Sequence, residues 1–524
     1  MDMDYREVKT KRPWKRIRPE GYMRGGLFRS GSEPLLSNPD CLFDMVTQAD
    51  FLKEYYPSGH IINDPVAYPD IYRAEEEDVL DGNGESTGRK VKRLYKELVP
   101  RYSFAFQQII AVKQIVHLCG NDIQFELTTD NPSDKEYSTF MALREGWLKK
   151  DMEIAFFEGV KSTKITGDGA VAGYMSDGVF GYKTLSYLNG DTLYPHYDAL
   201  TGKLSLFARS YYSYDDSGKK VNEWLEVWDK TYMYRFRRPE QGAKAVFYKI
   251  AGMFGASGYE LVEKRPHGFM SVPVAYMRDE GGACWSPSQD SCDGYEMSFS
   301  QMAQNNQAFG FPIMYLQGEG PDSMAMEHDI NGTIKIITGS PEDKASFLSQ
   351  PDASESFMKQ LDTLYKMIYE QSFAVIPPEL KSGDLPAAAL KILYSPAYEK
   401  AIVDSSEYQN FLNELVEIFM YGYGMEKKMT IDMNNLPVKW WIKPYVHVND
   451  SSIVTDLATS VQNGFLSRQS ASERIPMYAS PAEWERIVKE EKERQKNDLL
   501  YEINTTDANG NADKGSERVP AEED

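Results

Sequence analysis

The sequence predicts an α+β fold, and three observations carry that prediction. Apolar residues recur at helical spacing in two stretches of the chain, and between them lie more than a hundred residues of short, glycine-punctuated strands. The aromatic fraction is 13%, with 34 Tyr and 8 Trp, which suits packed sheets and broad subunit contacts. The length, 524 residues, allows roughly two to four average domains or one elongated subunit.

Taken in order, residues 1 to about 90 are rich in Pro, Gly and charge and read as loops with a few short helices, such as Asp40 to Tyr55. From Phe104 to Leu118, Ile109, Val112, Ile115 and Val116 fall at helical spacing, and Gly120 supplies the stop. Alternation at Ile123, Phe125 and Leu127 predicts a strand. A second helix is predicted over Ser138 to Val160, ending at Gly159. Gly167, Gly169, Gly173, Gly178, Gly181, Gly190 and Gly202 then mark tight turns in a strand-rich region that runs to about Met277.

After Pro287 the helical pattern returns, with Tyr295, Phe299, Met302 and Phe309 on one stripe. Strand-like runs at Ile313 to Leu316 and Thr333 to Ile337 predict a small α/β insert. Phe357, Leu361, Leu364 and Ile368 define a further helix, with Lys359, Asp362, Lys366 and Glu370 off its apolar stripe. That helix should end near Phe373, before Pro377 and Pro378. A loop from Glu379 to Pro386 leads to a long helix, Ala387 to about Tyr421, with a kink expected at Ser395-Pro396 because proline removes a backbone donor. Val438 to Val448 reads as a strand. Ile453, Leu457 and Val461 stack on a helix capped at Asp450 or Ser451 and ended by Gly464, and a short helix starts at Ser467. The last helix, Pro481 to about Leu500, carries Glu485 to Lys489 and Glu490 to Arg494 at i, i+4. Polar composition past Asn504 predicts disorder.

Composition excludes several functions. A net charge of -21 disfavours tight nucleic-acid binding, which needs cations to neutralise phosphates. The richest apolar run, Phe104 to Leu118, is broken by Gln107, Gln108, Lys113 and Gln114, so no membrane segment is expected. The basic N-terminus is followed by no apolar region of the kind a secretory peptide needs. Cys41, Cys119, Cys284 and Cys292 lie far apart and form neither a disulfide framework nor a zinc pattern. Six histidines are spread singly, with no i, i+4 pair to make a metal face. The run Gly167 to Gly181 lacks the Gly-Lys-Ser/Thr ending of a phosphate loop, and Gly252, Gly255 and Gly258 lack a surrounding βαβ unit. No enzyme activity, cofactor or metal is expected.

Charge along one stretch is more informative. From Pro287 to Gln371, thirteen Asp or Glu stand against four Lys and no Arg. A solvated acidic face is the simplest meaning. Lining a DNA conduit is the other, because like-charge repulsion would keep a duplex centred and free to slide.

Several segments resemble, in order, the portal proteins of tailed bacteriophages of the long-tailed type, the head-to-tail connectors. IIAVKQIVHLCGNDIQFEL (109 to 127) resembles the start of the family's wing, and FFEGVKSTKITGDGAVAGYMSDG, TLSYLNGDTLYPHYD and LFARSYY resemble its wing strands. HGFMSVPVAYMRDE, the Asp290 to Gln307 helix and IMYL resemble the step from wing to stem to clip. GFLSRQSASERIPMYASPAEWERIVKEEKER (464 to 494) resembles the start of the crown. The resemblance runs from about residue 90 to 495 and rests on the order of these segments.

It implies an N-terminal arm (1–90), a wing (91–285), a first stem helix (286–309), a clip (310–350) and a second stem helix (351–375). A tunnel loop (376–390), a kinked helix with a wing strand (391–449), a crown (450–503) and a tail (504–524) would follow. It also implies a ring of about twelve copies at one capsid vertex of the virion, made in the host cytoplasm. Double-stranded DNA would pass through that ring without sequence-specific contacts. Partners implied are the terminase large subunit, the major capsid and scaffold proteins and a head-completion or tail adaptor, with no membrane. Pro378, Glu379, Lys381, Ser382 and Asp384 would face DNA in the tunnel loop. Asp290, Glu296, Asp362, Lys366 and Glu370 would line the stem channel. Glu319, Asp322, Glu327 and Asp329 of the clip would face terminase or adaptor. Where many relatives open the kinked helix with Ser-Gly, this chain reads Leu385-Pro386-Ala387, which changes the loop shape to expect. The alternatives are another virion ring component, such as an adaptor or baseplate protein, and an intracellular enzyme with a cofactor-sized pocket.

Overall fold

The computed structural model describes residues 46–80, 86–129, 132–198, 200–238, 259–279, 281–309, 313–317, 325–328, 334–338, 344–348, 354–376, 392–429, 437–445, 450–475, 484 and 486–496. By contacts the chain divides into two compact units, residues 1–378 with 396–445, and 379–395 with 446–524.

The first unit opens with helix α1, Gln48–Tyr55, set by a capping box between Thr47 and Asp50. Sequence reasoning expected loops next. Instead β1, Ile71–Leu80, and β2, Ser86–Glu97, form an antiparallel hairpin. Its charged strands hide the apolar alternation that would have announced them. Helix α2, Phe106–Cys119, is followed by Gly120 as expected, and strand β3, Gln124–Leu127, pairs antiparallel with β16, Val438–Trp441.

The helix expected over 138–160 is two helices, α3 (Asp134–Lys149) and α4 (Met152–Thr166). The break falls at Asp151, which takes a left-handed φ of 53°, and α4 stops at Gly167 with φ 83°. Gly159 does not end a helix. A Cβ there would lie 2.5 Å from Phe411 Cζ, so the missing side chain is what lets the long helix Ser395–Lys427 pack against α4.

Among the described residues eight strands follow: β4 (Asp168–Ser176), β5 (Val179–Leu185), β6 (Thr192–Tyr197), β7 (Leu204–Tyr214), β8 (Lys220–Trp228), β9 (Tyr232–Arg237), β10 (Glu260–Pro266) and β11 (Val274–Arg278). They make a three-stranded sheet in the order β11-β4-β5 and a five-stranded meander in the order β10-β9-β8-β7-β6. The main core joins Phe156 and Val160 of α4, Val171 of β4, and Phe411, Leu415 and Phe419 of the 395–427 helix. Inside it Lys164 and Asp404, each about 1% exposed, form an ion pair at 2.8 Å. Burial alone would pull the Lys164 ammonium down, but Asp404, Asp279 and Cys284 around it hold it above the ordinary lysine value.

Two further helices, Gln289–Phe309 and Ser354–Gln371, flank an insert. The insert was expected to be α/β. Its described residues are all strand: β12 (Ile313–Gln317) pairs with β15 (Lys344–Leu348), and β13 (Ala325–His328) pairs with β14 (Ile334–Thr338). The 395–427 helix was expected to begin at Ala387 and kink at Pro396. The start at Ala387 lies outside the described residues; Ile392 and Leu393 are helical, a turn at Tyr394 interrupts the helix next to the expected break, and the continuous helix then runs from Ser395, with Pro396 in its first turn, to Lys427.

In the second unit, helix Asp450–Gln462 is closed by Gly464 at φ 76°, and helix Arg468–Arg474 is capped by Ser467. Residues 486–496 are helical, and Arg468 meets Glu491 at 2.8 Å. The loop and tail expectations for 376–390 and 504–524 fall almost wholly outside the described residues.

Candidate functional site

The region that sequence charge singled out centres on the 289–309 and 354–371 helices. Two hydrogen bonds fix their relation: Ser291 Oγ donates to Gln371 Oε1 at 3.1 Å, and Gln360 Nε2 donates to Ser298 Oγ at 3.0 Å. Rising numbers on one helix meet falling numbers on the other, so the pair is antiparallel. Small residues line the seam, and Leu364 packs over Gly294.

The 354–371 helix buries the stripe read from its sequence. Leu361 and Ile368 are buried, Phe357 and Leu364 are half-buried, and Lys359, Asp362, Lys366 and Glu370 are exposed. Asp362, Lys366 and Glu370 follow at i, i+4 and i+8, which makes one exposed stripe of alternating sign. Asp290, exposed in the first turn of its helix, lies at the same end of the pair as Glu370.

Glu296 is placed differently from the other four candidates. It is 1% exposed, so it cannot line a channel. Its Oε1 lies 2.7 Å from His60 Nδ1 and accepts the Phe104 backbone N–H, also at 2.7 Å. His60 Nε2 in turn lies 2.7 Å from the Glu54 carbonyl oxygen. Both ring nitrogens thus face oxygen atoms. The Glu54 carboxylate takes the Trp285 indole N–H at 2.9 Å. These bonds fasten the 289–309 helix to the segment around α1. Tyr295 and Phe299 support the joint through edge-on contacts with Phe104.

The other helix is fastened at its C-terminal end by α2. Gln114 Nε2 donates to the Ser372 carbonyl at 2.9 Å, and the Lys113 ammonium donates to the Val375 carbonyl. Gln108 Nε2 donates to the Tyr55 carbonyl at 3.0 Å, and Gln107 Nε2 reaches Gln289 Oε1 at 3.1 Å. Of the four polar residues that interrupt the apolar run of α2, Gln107, Lys113 and Gln114 therefore tether it to the two helices or the segment just after them, and Gln108 ties it to α1. Between these tethers Phe373 adopts φ 55°, a strained value for a residue with a Cβ. Sequence reading found the interruption but used it only to exclude a membrane span.

The remaining sequence candidates stay apart from this geometry. Pro378, Glu379, Lys381, Ser382 and Asp384 lie outside the described residues, as do Glu319, Asp322 and Asp329. Glu327 lies on β13 opposite Ile336 of β14. Among the described residues no group of His, Cys, Asp and Glu is arranged to hold a metal ion, and no helix is long and apolar enough to cross a membrane. The described cysteines are free thiols, and burial pushes Cys119 and Cys284 up to about 12, which leaves them inert as nucleophiles.

Residues 46–497 match the model of a family described as phage portal protein, SPP1 Gp6-like. No curated protein matches the chain. Among solved structures, a chain titled "Neck of empty GTA particle computed with C6 symmetry" is similar at 11% identity with a TM-score of 0.38, covering 69% of this chain and 88% of that one.

Proposed function

Because the chain belongs to the SPP1 Gp6-like family of phage portal proteins, we propose that it forms a ring of about twelve copies at one capsid vertex, through which double-stranded DNA is packaged, retained and ejected. A portal protein is a structural virion component involved in DNA packaging and is not an enzyme. In this reading 91–285 with 391–449 is the wing, the two antiparallel helices are the stem, 310–350 is the clip, 376–390 is the tunnel loop and 450–503 is the crown. The clip, with Glu319, Asp322, Glu327 and Asp329, docks the terminase large subunit and later a head-completion or tail adaptor. Residues 1–90 reach scaffold, major capsid protein or neighbouring copies.

The observation that carries the channel is the exposed Asp362, Lys366 and Glu370 stripe on a helix whose opposite stripe is buried. Alternating charge with a net negative balance offers DNA no row of cations to grip. Few counterions are released on contact, so the duplex is held in place without being bound. ATP hydrolysis by terminase supplies the work. The family match over 46–497 removes the ground for an adaptor or baseplate protein.

Negative-stain electron microscopy with a mass measurement tests the ring. Particles with a central hole and about twelve subunit masses are expected. A compact monomer or dimer that persists with scaffold protein present would sink the proposal.

A further inference from the structure

The β1–β2 hairpin stands out because, among the described residues, its extensive packing is between its own two strands. Its root is firm. Asp70, just before β1, is held by Arg101 at 2.7 Å and Lys96 at 3.0 Å, and Val99, just after β2, is buried with Ile62 and Tyr68. Beyond that root β1 and β2 form a sheet with no third strand among the described residues, over a register from Ile71↔Glu97 to Leu80↔Ser86. Tyr72 and Leu94 are more than 60% exposed. An isolated two-stranded ribbon is marginal in water, and both of its strands present an open edge.

The two strands differ in charge. β1 carries four acidic residues against one Arg, and β2 carries five Lys or Arg against one Glu. Within the hairpin the signs meet, with Glu75 opposite Arg93, Glu76 opposite Lys92 and Asp78 opposite Lys90. The same rule has a consequence between copies. Were copies related by a ring axis to bring the free edge of β2 on one beside the free edge of β1 on the next, the two would run antiparallel. Basic would then again lie beside acidic.

We propose that the hairpins of adjacent copies pair edge to edge, β2 of one with β1 of the next, into a continuous antiparallel sheet that closes around the ring. The contact is head-to-tail and leaves no open edge once closed. It gives every charged strand a neighbour of opposite sign on both sides. The occupant of each edge is a second copy of this chain, so the inference rests on the ring reading.

Mixing experiments separate pairing between copies from pairing within one. One variant, Glu76→Lys with Asp78→Lys, makes both strands basic. The other, Lys90→Glu with Lys92→Glu and Arg93→Glu, makes both acidic. Each full-length variant alone is expected to populate rings at least about tenfold less than wild type, with unchanged circular dichroism, whereas the equimolar mixture recovers rings containing both. Failure of the mixture to recover, or full ring formation by either variant alone, overturns the hairpin proposal while leaving the ring intact. A wild-type chain that forms no ring overturns both. Hydrogen exchange on wild type gives a reading that needs no variant. Amides across 71–80 and 86–97 are expected to exchange at least about tenfold more slowly in rings than in subunits, and equal exchange in the two would overturn the sheet.

Discussion

Helix α4, with 15 residues, and the 354–371 helix, with 18, are similar in length and opposite in burial. Ten residues of α4 are buried, among them Ser162, Thr163, Lys164 and Thr166, so polar groups are enclosed along with the apolar face. Among the described side chains of the 354–371 helix, Leu361, Ile368 and Tyr369 are the buried ones. The first is surrounded by its own chain and must satisfy every polar group there, as Lys164 does with Asp404. The second keeps one side anchored and leaves the other exposed. Stability is therefore concentrated in the enclosed core, and the helix pair keeps the exposed face that is proposed to line the channel.

The sharpest way to break this contrast is Asp404→Ala. It strands the Lys164 ammonium in the core and is expected to cost about 3–5 kcal/mol, read as a lowered midpoint in urea denaturation. A loss below about 1 kcal/mol would mean that the core does not depend on the pair.

Asp168 sharpens the comparison through pH. Burial is the first cause that raises its carboxyl from the ordinary 3.8 to about 7. The folded chain then holds that proton more tightly than the unfolded chain does. Its contribution is fully present below about pH 4, falls as pH rises through the window up to about 7, and is level above it. Relative to wild type, Asp168→Asn should gain stability across that window, by at most about 4 kcal/mol. A pH-independent difference in denaturation midpoints would contradict the assignment.

Smaller effects belong to the helix pair. Glu296→Ala removes the acceptor of the Phe104 N–H and the partner of His60, and about 1–3 kcal/mol of stability should go with it. Glu296→Gln retains an acceptor and should lose less in the same thermal melt. Asp362→Arg, on the exposed stripe, should change stability by no more than about 0.5 kcal/mol and leave the ring intact, yet slow DNA packaging. Wild-type filling by that variant would remove this face from the channel.

Much of the fold was legible because periodicity survives wherever one face is covered. The 354–371 helix announced its stripe through Phe357, Leu361, Leu364 and Ile368, and its free charges were already those off the stripe. Glycine turns marked the sheets. Legibility failed where burial is polar or pairing is charged. The β1–β2 ribbon has no apolar alternation to read. Glu296 looked like any acidic residue of its helix, since nothing local shows that His60, 236 positions away, will close over it. Gly159 read as a helix end because sequence cannot show the Phe411 ring that needs the space.

What the sequence determined by itself was the kind and order of elements, the acidic balance between Pro287 and Gln371 and the absence of a catalytic pattern, because these depend on local spacing and composition. Only the tertiary structure decided which charges are free. Asp362 and Glu296 are both acidic residues on the paired helices, and one is exposed while the other is enclosed. The difference comes from segments distant in the chain, which fold over one face of the 289–309 helix and leave the outer face of its partner open.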